Sequence, residues 1–430
     1  MSLCKDYNDT FVSLYKLKTF QEEAIQGVYQ AIKINIVESK ILSPQQILEL
    51  INIASNYNFC YIKSYLSIAK KIYDDYQPKQ VKISSNRFKY LFYKEYGIIF
   101  EDTDLTLFKE YESKNYFSYV FDKNTIYNAI ANDDVKQFIS FSEIGENFDY
   151  SQKFLSEDDR GYDLVELCCL YASVNCFKFL RTKFNVSLTS ECLQYSFLGG
   201  NPDIMSECLK NSRLQSDCME YAIISHNIDF VTFLMNEYRL EIDLEMCARY
   251  QNLQAFLVFL DKTKNINLCF IYSPIFSIPS LCEYFISHGA DVNIGRNTLA
   301  AIHMAAIYNC TLIIEFLFSH GADINIRDSN GYTPLHYTSH IDSKEAAELL
   351  ISNGIDINAK SKQGETALHI AAQTNAINTA KILIAHGANI NEKNDFGKAP
   401  LHLSSEKDYK EMVDFLITNG ANINALDNDW

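Results

Sequence analysis

Residues 331–336 read Gly-Tyr-Thr-Pro-Leu-His, and residues 364–369 read Gly-Glu-Thr-Ala-Leu-His. The two stretches stand 33 residues apart, and the step continues outward on both sides. His303, His336, His369 and His402 obey it, as do Gly321, Gly354, Gly387 and Gly420. Gly289 lies 32 residues before Gly321, because the loop over 293–297 is one residue short. A fixed period of this length marks a repeat architecture, in which each unit buries its apolar face only by stacking on its neighbours. Four such periods fill residues 298–430.

Each period makes physical sense by itself. Pro334 and Pro400 stand in the first turn of a helix, where a missing N–H costs little. Thr333 and Thr366 precede that turn as N-caps. Ile377, Ala380, Leu383 and Ile384 have helical spacing, and Gly387 follows as a residue able to take positive φ past the helix end. His288, His320 and His386 directly precede such glycines, where a partial positive charge suits a helix C-terminus. Asp328-Ser-Asn-Gly331 carries the turn formers of a hairpin tip. Asn325, Asn358, Asn391 and Asn424 can tie the hairpin backbone through their side chains.

The 33-residue period, Thr-Pro-Leu-His and the tail Gly321-Ala-Asp-Ile-Asn325, together and in tandem, resemble the ankyrin repeat. The resemblance implies an all-α solenoid of antiparallel helix pairs, with a short β-hairpin finger on each C-terminal repeat. It also implies that the Thr hydroxyl bonds the His ring of its own repeat and that the ring bridges to the next repeat's backbone. That carries over to Thr333 with His336 and to Thr366 with His369. Ala300 and Ala399 replace the Thr before His303 and His402, so those two repeats are expected to fray more.

Upstream, residues 121–297 hold a weaker array. Asp163-Leu-Val-Glu-Leu-Cys-Cys, Asp217-Cys-Met-Glu-Tyr-Ala and Asp243-Leu-Glu-Met-Cys-Ala align with the helix-start motif. Glu166, Gln194, Glu220 and Glu245 face the histidine position, at steps of 28, 26 and 25. The shortening matches the loss of a finger, so about six helix pairs with short loops are expected, one of them at 127–141. Leu198-Gly-Gly-Asn-Pro-Asp-Ile-Met and Pro279-Ser-Leu-Cys-Glu-Tyr-Phe are similar to segments of a large protist family that joins a helical N-terminal region, a divergent ankyrin-like block and standard ankyrin repeats. In residues 1–120 no such step is visible. Helical spacing marks 19–38, a helix starting at Ser43-Pro44, and helices over 61–76 and 85–96. This region is expected to be a helical cap for the solenoid or a second docking module.

Composition narrows the function. With 47% hydrophobic and 21% charged residues the chain is not a disordered one. Its 38 Lys and Arg against 54 Asp and Glu give a net charge of −16, which argues against a nucleic-acid partner. No apolar run approaches the ~18 residues of a membrane span, and no export signal stands at the N-terminus. A cytoplasmic protein with reduced thiols is expected. Of its twelve cysteines, nine fall between Cys168 and Cys282 in helical patterns, with no C-x-x-C pair. They read as core residues rather than metal ligands.

Catalytic signatures are missing: no phosphate-binding glycine loop, no H-E-x-x-H, no G-x-S-x-G. No cofactor, metal or catalytic residue is therefore assigned. The repeat accounts for seven of nine histidines. His226 and His340 are assigned to loops between paired helices and read as solvated. The acidic clusters Glu157-Asp-Asp159 and Asp133-Asp134 lack the spacing and glycine of a Ca²⁺ loop and read as solvated turns.

The expected function is a non-catalytic protein-binding scaffold or adaptor that grips a partner polypeptide on the concave face. By the ankyrin resemblance, contacts fall on finger tips and first-helix ends. On the fingers these are Arg327, Ser329, Asn330, Tyr332, Lys360, Lys362, Gln363, Glu365, Lys393, Phe396 and Lys398. At the helix ends they are Ile307, Tyr308, His340, Ile341, Gln373 and Thr374. Tyr332 and Phe396 supply aromatic anchors, and Arg327, Lys360 and Lys393 form a basic ridge suited to an acidic segment. Two alternatives remain. One is a recruitment adaptor whose N-terminal region docks separate machinery. The other is an enzyme with a cryptic site in residues 1–120.

Overall fold

The computed structural model describes residues 2–79, 81–101, 103–113, 124–143, 148–153, 161–295 and 298–428. The cluster Glu157-Asp-Asp159 lies outside them, as do residues 120–121 and 297 at the expected domain boundaries. Two compact units divide the chain, Met1–Phe259 and Leu260–Trp430. The described residues are helical throughout their regular elements, with no β-strand among them.

The first unit opens with α1 (Ser2–Tyr15) and α2 (Glu22–Ile32), which runs on into a π-helical turn, Lys33–Glu38. There follow α3 (Pro44–Tyr57), α4 (Ile62–Tyr76), α5 (Asn86–Tyr96) and α6 (Leu105–Ser113). Ser43 starts α3 with a reciprocal cap: its hydroxyl accepts from Gln46 N at 3.3 Å, and Gln46 Oε1 accepts from Ser43 N at 2.8 Å. Helix α1 buries Tyr7, Phe11 and Leu14 along one face, an i, i+4, i+7 stripe that its polar residues disguise in the sequence.

Five fingerless helix pairs complete this unit. They are α7 (Ile126–Ala131) with α8 (Val135–Ser142), α9 (Leu164–Tyr171) with α10 (Val174–Lys183), α11 (Ser190–Gly199) with α12 (Pro202–Asn211), α13 (Cys218–Ile224) with α14 (Ile228–Tyr238), and α15 (Leu244–Arg249) with α16 (Leu253–Thr263). First helices α7, α9, α11, α13 and α15 pack in that order as a row. Cys168, Cys169, Cys176, Cys192, Cys208, Cys218 and Cys247 are all buried there, and burial pushes the Cys176 thiol up to about 12. Glu166 does the work expected of the histidine. It accepts from the N-cap amide of Asp163 at 3.1 Å and, on the next repeat, from the Thr189 hydroxyl at 3.2 Å. Glu220 likewise accepts from Tyr250 Oη at 2.9 Å, one repeat on.

The second unit holds a sixth such pair, α17 (Ile266–Tyr272) with α18 (Pro279–Ser287), and then the four standard repeats. These are α19 (Ala301–Ile307) with α20 (Thr311–Ser319), α21 (Pro334–Ile341) with α22 (Lys344–Ser352), α23 (Ala367–Thr374) with α24 (Ile377–Ala385), and α25 (Pro400–Glu406) with α26 (Lys410–Thr418). Thr366 Oγ1 lies 2.9 Å from His369 Nδ1, and that nitrogen also accepts from Thr366 N at 3.1 Å. His369 Nε2 then reaches Lys398 O of the next repeat at 3.1 Å. Thr333 and His336 repeat the arrangement, with Nε2 donating to Glu365 O at 3.1 Å. A ring that accepts at Nδ1 and faces a carbonyl at Nε2 is the neutral, Nε2-protonated tautomer. His303 and His402 lack the hydroxyl but keep both backbone links: Ala300 N and Ala399 N donate to them at 3.0 Å, and Ile326 O and Ala425 O accept at 3.1 and 2.8 Å.

Three further ladders repeat along this unit. Asn293, Asn325, Asn358 and Asn391 each accept through Oδ1 from a backbone amide of the following repeat, at 2.7–2.9 Å. They therefore join repeats rather than only tying their own hairpin. The histidines before the C-terminal glycines bond back into their helices, His288 Nδ1 to Tyr284 O at 2.7 Å and His320 Nδ1 to Phe316 O at 2.8 Å. Fingers, expected as β-hairpins, form tight turns without strands. Those at 328–332, 361–365 and 394–398 each close on two backbone bonds, such as Ser361 N to Glu365 O at 2.8 Å and Gly364 N to Ser361 O at 3.1 Å, and then bond to a neighbour. Lys362 N donates to Asn330 O at 2.8 Å, Asp395 N to Gln363 O at 3.0 Å, and Asn428 N to Phe396 O at 3.1 Å. Gly364 takes φ +73° there, and a Cβ on it would stand 2.5 Å from Asp395 Oδ1.

Candidate interaction surface

A shared backbone feature sets the register of all ten helix pairs. The residue that ends or follows each first helix has positive φ: Asp133, Ala172, Gly200, His226, Gln251, Ser277, Asn309, Asp342, Asn375 and Asp408. Such a left-handed residue stops the helix and turns the chain toward the second one. Three of them, Asp133, Asn309 and Asp342, also reach forward. Asp133 Oδ1 accepts from Asn175 N at 2.9 Å and Cys176 N at 3.0 Å, so it caps a neighbouring helix rather than facing solvent or a cation. Asn309 Oδ1 accepts from Ala346 N at 3.2 Å, and Asp342 Oδ1 from Thr379 N at 2.9 Å. Within each unit, the line of these residues and the helix ends before them forms a rim.

In the first unit, residues of the N-terminal helices occupy this rim. Tyr15 stacks on His226 with ring centroids 4.5 Å apart. Tyr57 Oη meets Tyr250 Oη at 3.0 Å. Because Tyr250 donates onward to Glu220, Tyr57 donates to Tyr250. Tyr7 Oη bonds the Gln251 side chain. Phe59 stacks on Tyr162 at 5.5 Å and meets Tyr171 edge-on at 5.6 Å. Four consecutive first-helix rows, from α9 to α15, are touched in this way or through the Lys18 ammonium, 3.0 Å from Leu198 O.

His226 was expected to be solvated, and it is 2% exposed. Its Nε2 donates to Tyr250 O at 2.8 Å. Nδ1 has no hydrogen-bond partner among the described residues, and burial holds the ring neutral by pushing its pKa down to about 3. The cause is Tyr15, 211 positions away in the chain, which no local pattern announces. His340 is exposed as expected, but it sits inside α21, two residues before the left-handed Asp342. It is therefore not the counterpart of His226.

Over the standard repeats, the expected contact residues fall on two strips. His340 and Gln373 are exposed at helix ends, with Ile307, Tyr308, Ile341 and Thr374 half-buried beside them. On the fingers Ser329, Asn330, Lys362 and Gln363 are exposed, and Phe396 is 59% exposed. Tyr332 is packed instead. Its ring stacks on His336 at 5.1 Å, and its hydroxyl donates to Glu365 Oε2 at 3.2 Å. The basic ridge is a brace. The Arg327 guanidinium donates to Lys360 O, Lys360 Nζ to Lys393 O at 3.4 Å, and Lys393 Nζ to Leu426 O at 2.7 Å. Lys360 also pairs with Glu392, and Lys398 with Glu406, each at 2.6 Å. These bonds follow the same period as the fold, and only the sequence period, not the charges themselves, hinted at them.

A family profile described as "Ankyrin repeats (3 copies)" matches residues 275–361 and 358–427. Residues 275–427 are ankyrin repeats. Ankyrin repeats point in general to protein–protein interaction, and the family is generally non-catalytic. A second profile, "Domain of unknown function (DUF3447)", matches residues 184–259, the fingerless pairs from α11 onward. No curated protein matches the sequence. No helix among the described residues is long and apolar enough to cross a membrane. No group of three or more potential metal-ligating side chains is gathered among them either.

Proposed function

We propose that the standard repeats, residues 298–430, bind a partner polypeptide along the rim and fingers, and that the protein acts as a non-catalytic scaffold or adaptor. One observation carries this reading. The same register positions in the fingerless repeats already hold a polypeptide, the chain's own N-terminal helices, through Tyr7, Tyr15, Tyr57 and Phe59. A rim of this geometry is therefore suited to aromatic-bearing helical segments, which supply large contact area at low entropic cost. In this reading residues 1–120 are a docking module laid on the fingerless repeats of the first unit.

The test uses the full chain and a partner captured from native cells. His340→Arg with Gln373→Arg crowds the rim, whereas Lys381→Glu alters the outer helix α24. Loss of at least ~10-fold in affinity for the first pair only is the expected result, and equal affinity for all variants refutes the reading. A recruitment role for residues 1–120 draws on exposed apolar side chains of that region, Phe20 at 58% and Ile34 at 55%. Two proteins captured separately by the region 1–120 and by the repeats favour that version.

A further inference from the structure

The first unit contains a cavity of about 250 Å³ between the N-terminal segment and the rim of α11 and α13. That is a little below the usual size of small-molecule pockets, ~300–1,000 Å³. Tyr57, Phe197 and Phe230 give it flat apolar walls, and Tyr15, Lys16 and Lys18 give it polar ones. No aspartate or glutamate lines it, although the chain carries a net charge of −16. We propose that this cavity binds a small organic anion, a carboxylate or phosphate monoester on a flat apolar body, with Lys18 and Lys16 holding the anionic head.

Three features on the page converge on an anion. First, the Lys18 ammonium is drawn out of water against two backbone carbonyls, Leu198 O at 3.0 Å and Gly199 O at 3.5 Å, at the C-terminal end of α11. Two of its three N–H groups have acceptors there, and no carboxylate is among the charges acting on it. Lys18 is half-buried, and an ammonium partly removed from water without a counter-ion is costly. The physical consequence is an amine pushed down to about 8, by desolvation first and by the Lys16 charge second. Second, Tyr15 is 3% exposed, and its hydroxyl has no hydrogen-bond partner among the described residues. That hydroxyl is sealed from solvent, so a ligand atom satisfies it only with a small shift of the Tyr15 ring, which removes the cost of leaving it isolated. Third, Tyr57, Phe197 and Phe230 also line the cavity, and aromatic walls suit the face of a planar body.

Occupancy has a consequence for the N-terminal segment. Tyr15, Lys16, Lys18 and Tyr57 lie on that segment, while Phe197, Ile224, Ser225 and Phe230 lie on the repeats. A ligand touching both stabilises their contact by mass action, so the anion would act as a bolt between the N-terminal helices and the rim. This inference does not depend on the partner reading above, and its test involves no partner protein.

The probes are phenyl phosphate, inorganic phosphate and benzyl alcohol, titrated calorimetrically into the full chain at pH 7. Phenyl phosphate is expected to bind at ~1 mM or better, with each half-probe at least ~10-fold weaker. The Lys18 ε-methylene signal, followed against pH, is expected to shift its midpoint upward by about one unit when phenyl phosphate is present. Lys18→Met is expected to abolish binding. Tyr15→Phe, which keeps the ring and removes only the hydroxyl, is expected to weaken binding about 3- to 10-fold with unchanged circular dichroism. Three results overturn the proposal: no saturable binding of phenyl phosphate up to ~10 mM, binding that Lys18→Met and Tyr15→Phe leave unaltered, or a Lys18 midpoint that ligand does not move.

Discussion

Acid should weaken the standard repeats through a ring that resists protonation while folded. His336 is 1% exposed. Its Nδ1 accepts from Thr333 N and lies 2.9 Å from the Thr333 hydroxyl, and its Nε2 donates to Glu365 O. Burial pushes its pKa down to about 4 from an ordinary value of 6.5. As pH falls, the unfolded chain takes up this proton first, so unfolding is favoured across the window from 6.5 down to 4. The stability lost at this one site is about 2 kcal/mol at pH 5, and about 3 kcal/mol below both values. Above pH 7 the ring is neutral in both states and its contribution no longer varies. His336→Gln removes the titration but leaves a side chain that can accept and donate. Urea unfolding of wild type and variant at pH 7.5 and pH 5.0 provides the comparison, with hydrogen exchange over 331–342 as the local probe, because repeat arrays open in parts. The wild type's advantage is expected to shrink by about 2 kcal/mol between the two conditions. An advantage equal at both pH values refutes the argument, since it would mean the ring protonates in place.

Three further outcomes follow from the geometry. His369→Ala should destabilise more than His402→Ala, by about 1 kcal/mol, because only His369 has a threonine hydroxyl on Nδ1; equal urea midpoints contradict this. Gly364→Ala should cost at least about 1 kcal/mol more than Gly387→Ala. Both have positive φ, but only at Gly364 does a Cβ collide, with Asp395, whereas nothing lies within 4 Å at Gly387; matched thermal midpoints for the two variants refute it. Tyr15→Ala should cost about 3 kcal/mol and speed proteolysis in residues 1–60, since the ring packs on His226; unchanged cleavage in that region speaks against the rim contact.

Sequence legibility followed periodicity. The helix pairs, the glycines, the His–Thr links and the missing fingers all recur at a fixed step, so each repeat corroborates the next. Glu166 was visible as the residue at the histidine position, and its double role follows from a carboxylate's two oxygens, one reaching back and one forward. What stayed hidden is aperiodic or long-range. Tyr7, Tyr15 and Tyr57 meet residues about 200 positions away, and nothing in α1 marks it as the element that covers a rim. His226 looked like any loop histidine because the residue that buries it is remote. Arg327, Lys360 and Lys393 were legible as charges but not as braces, because the acceptors are backbone carbonyls, which have no sequence signature. Tyr332, read as an aromatic anchor, is half-buried for a related reason. Its partner, Glu365, is one full period on, and the pairing shows only when the fingers are stacked.

The account rests on polypeptide binding at the helix-end rim. The most direct measurement places a photo-crosslinking amino acid at His340, at Gln373 and, as the reverse face, at Lys381, one at a time in the full chain expressed in native cells. Protein adducts at 340 and 373 with none at 381 are the predicted result. Adducts confined to 381, or none at 340 and 373, would contradict the claim.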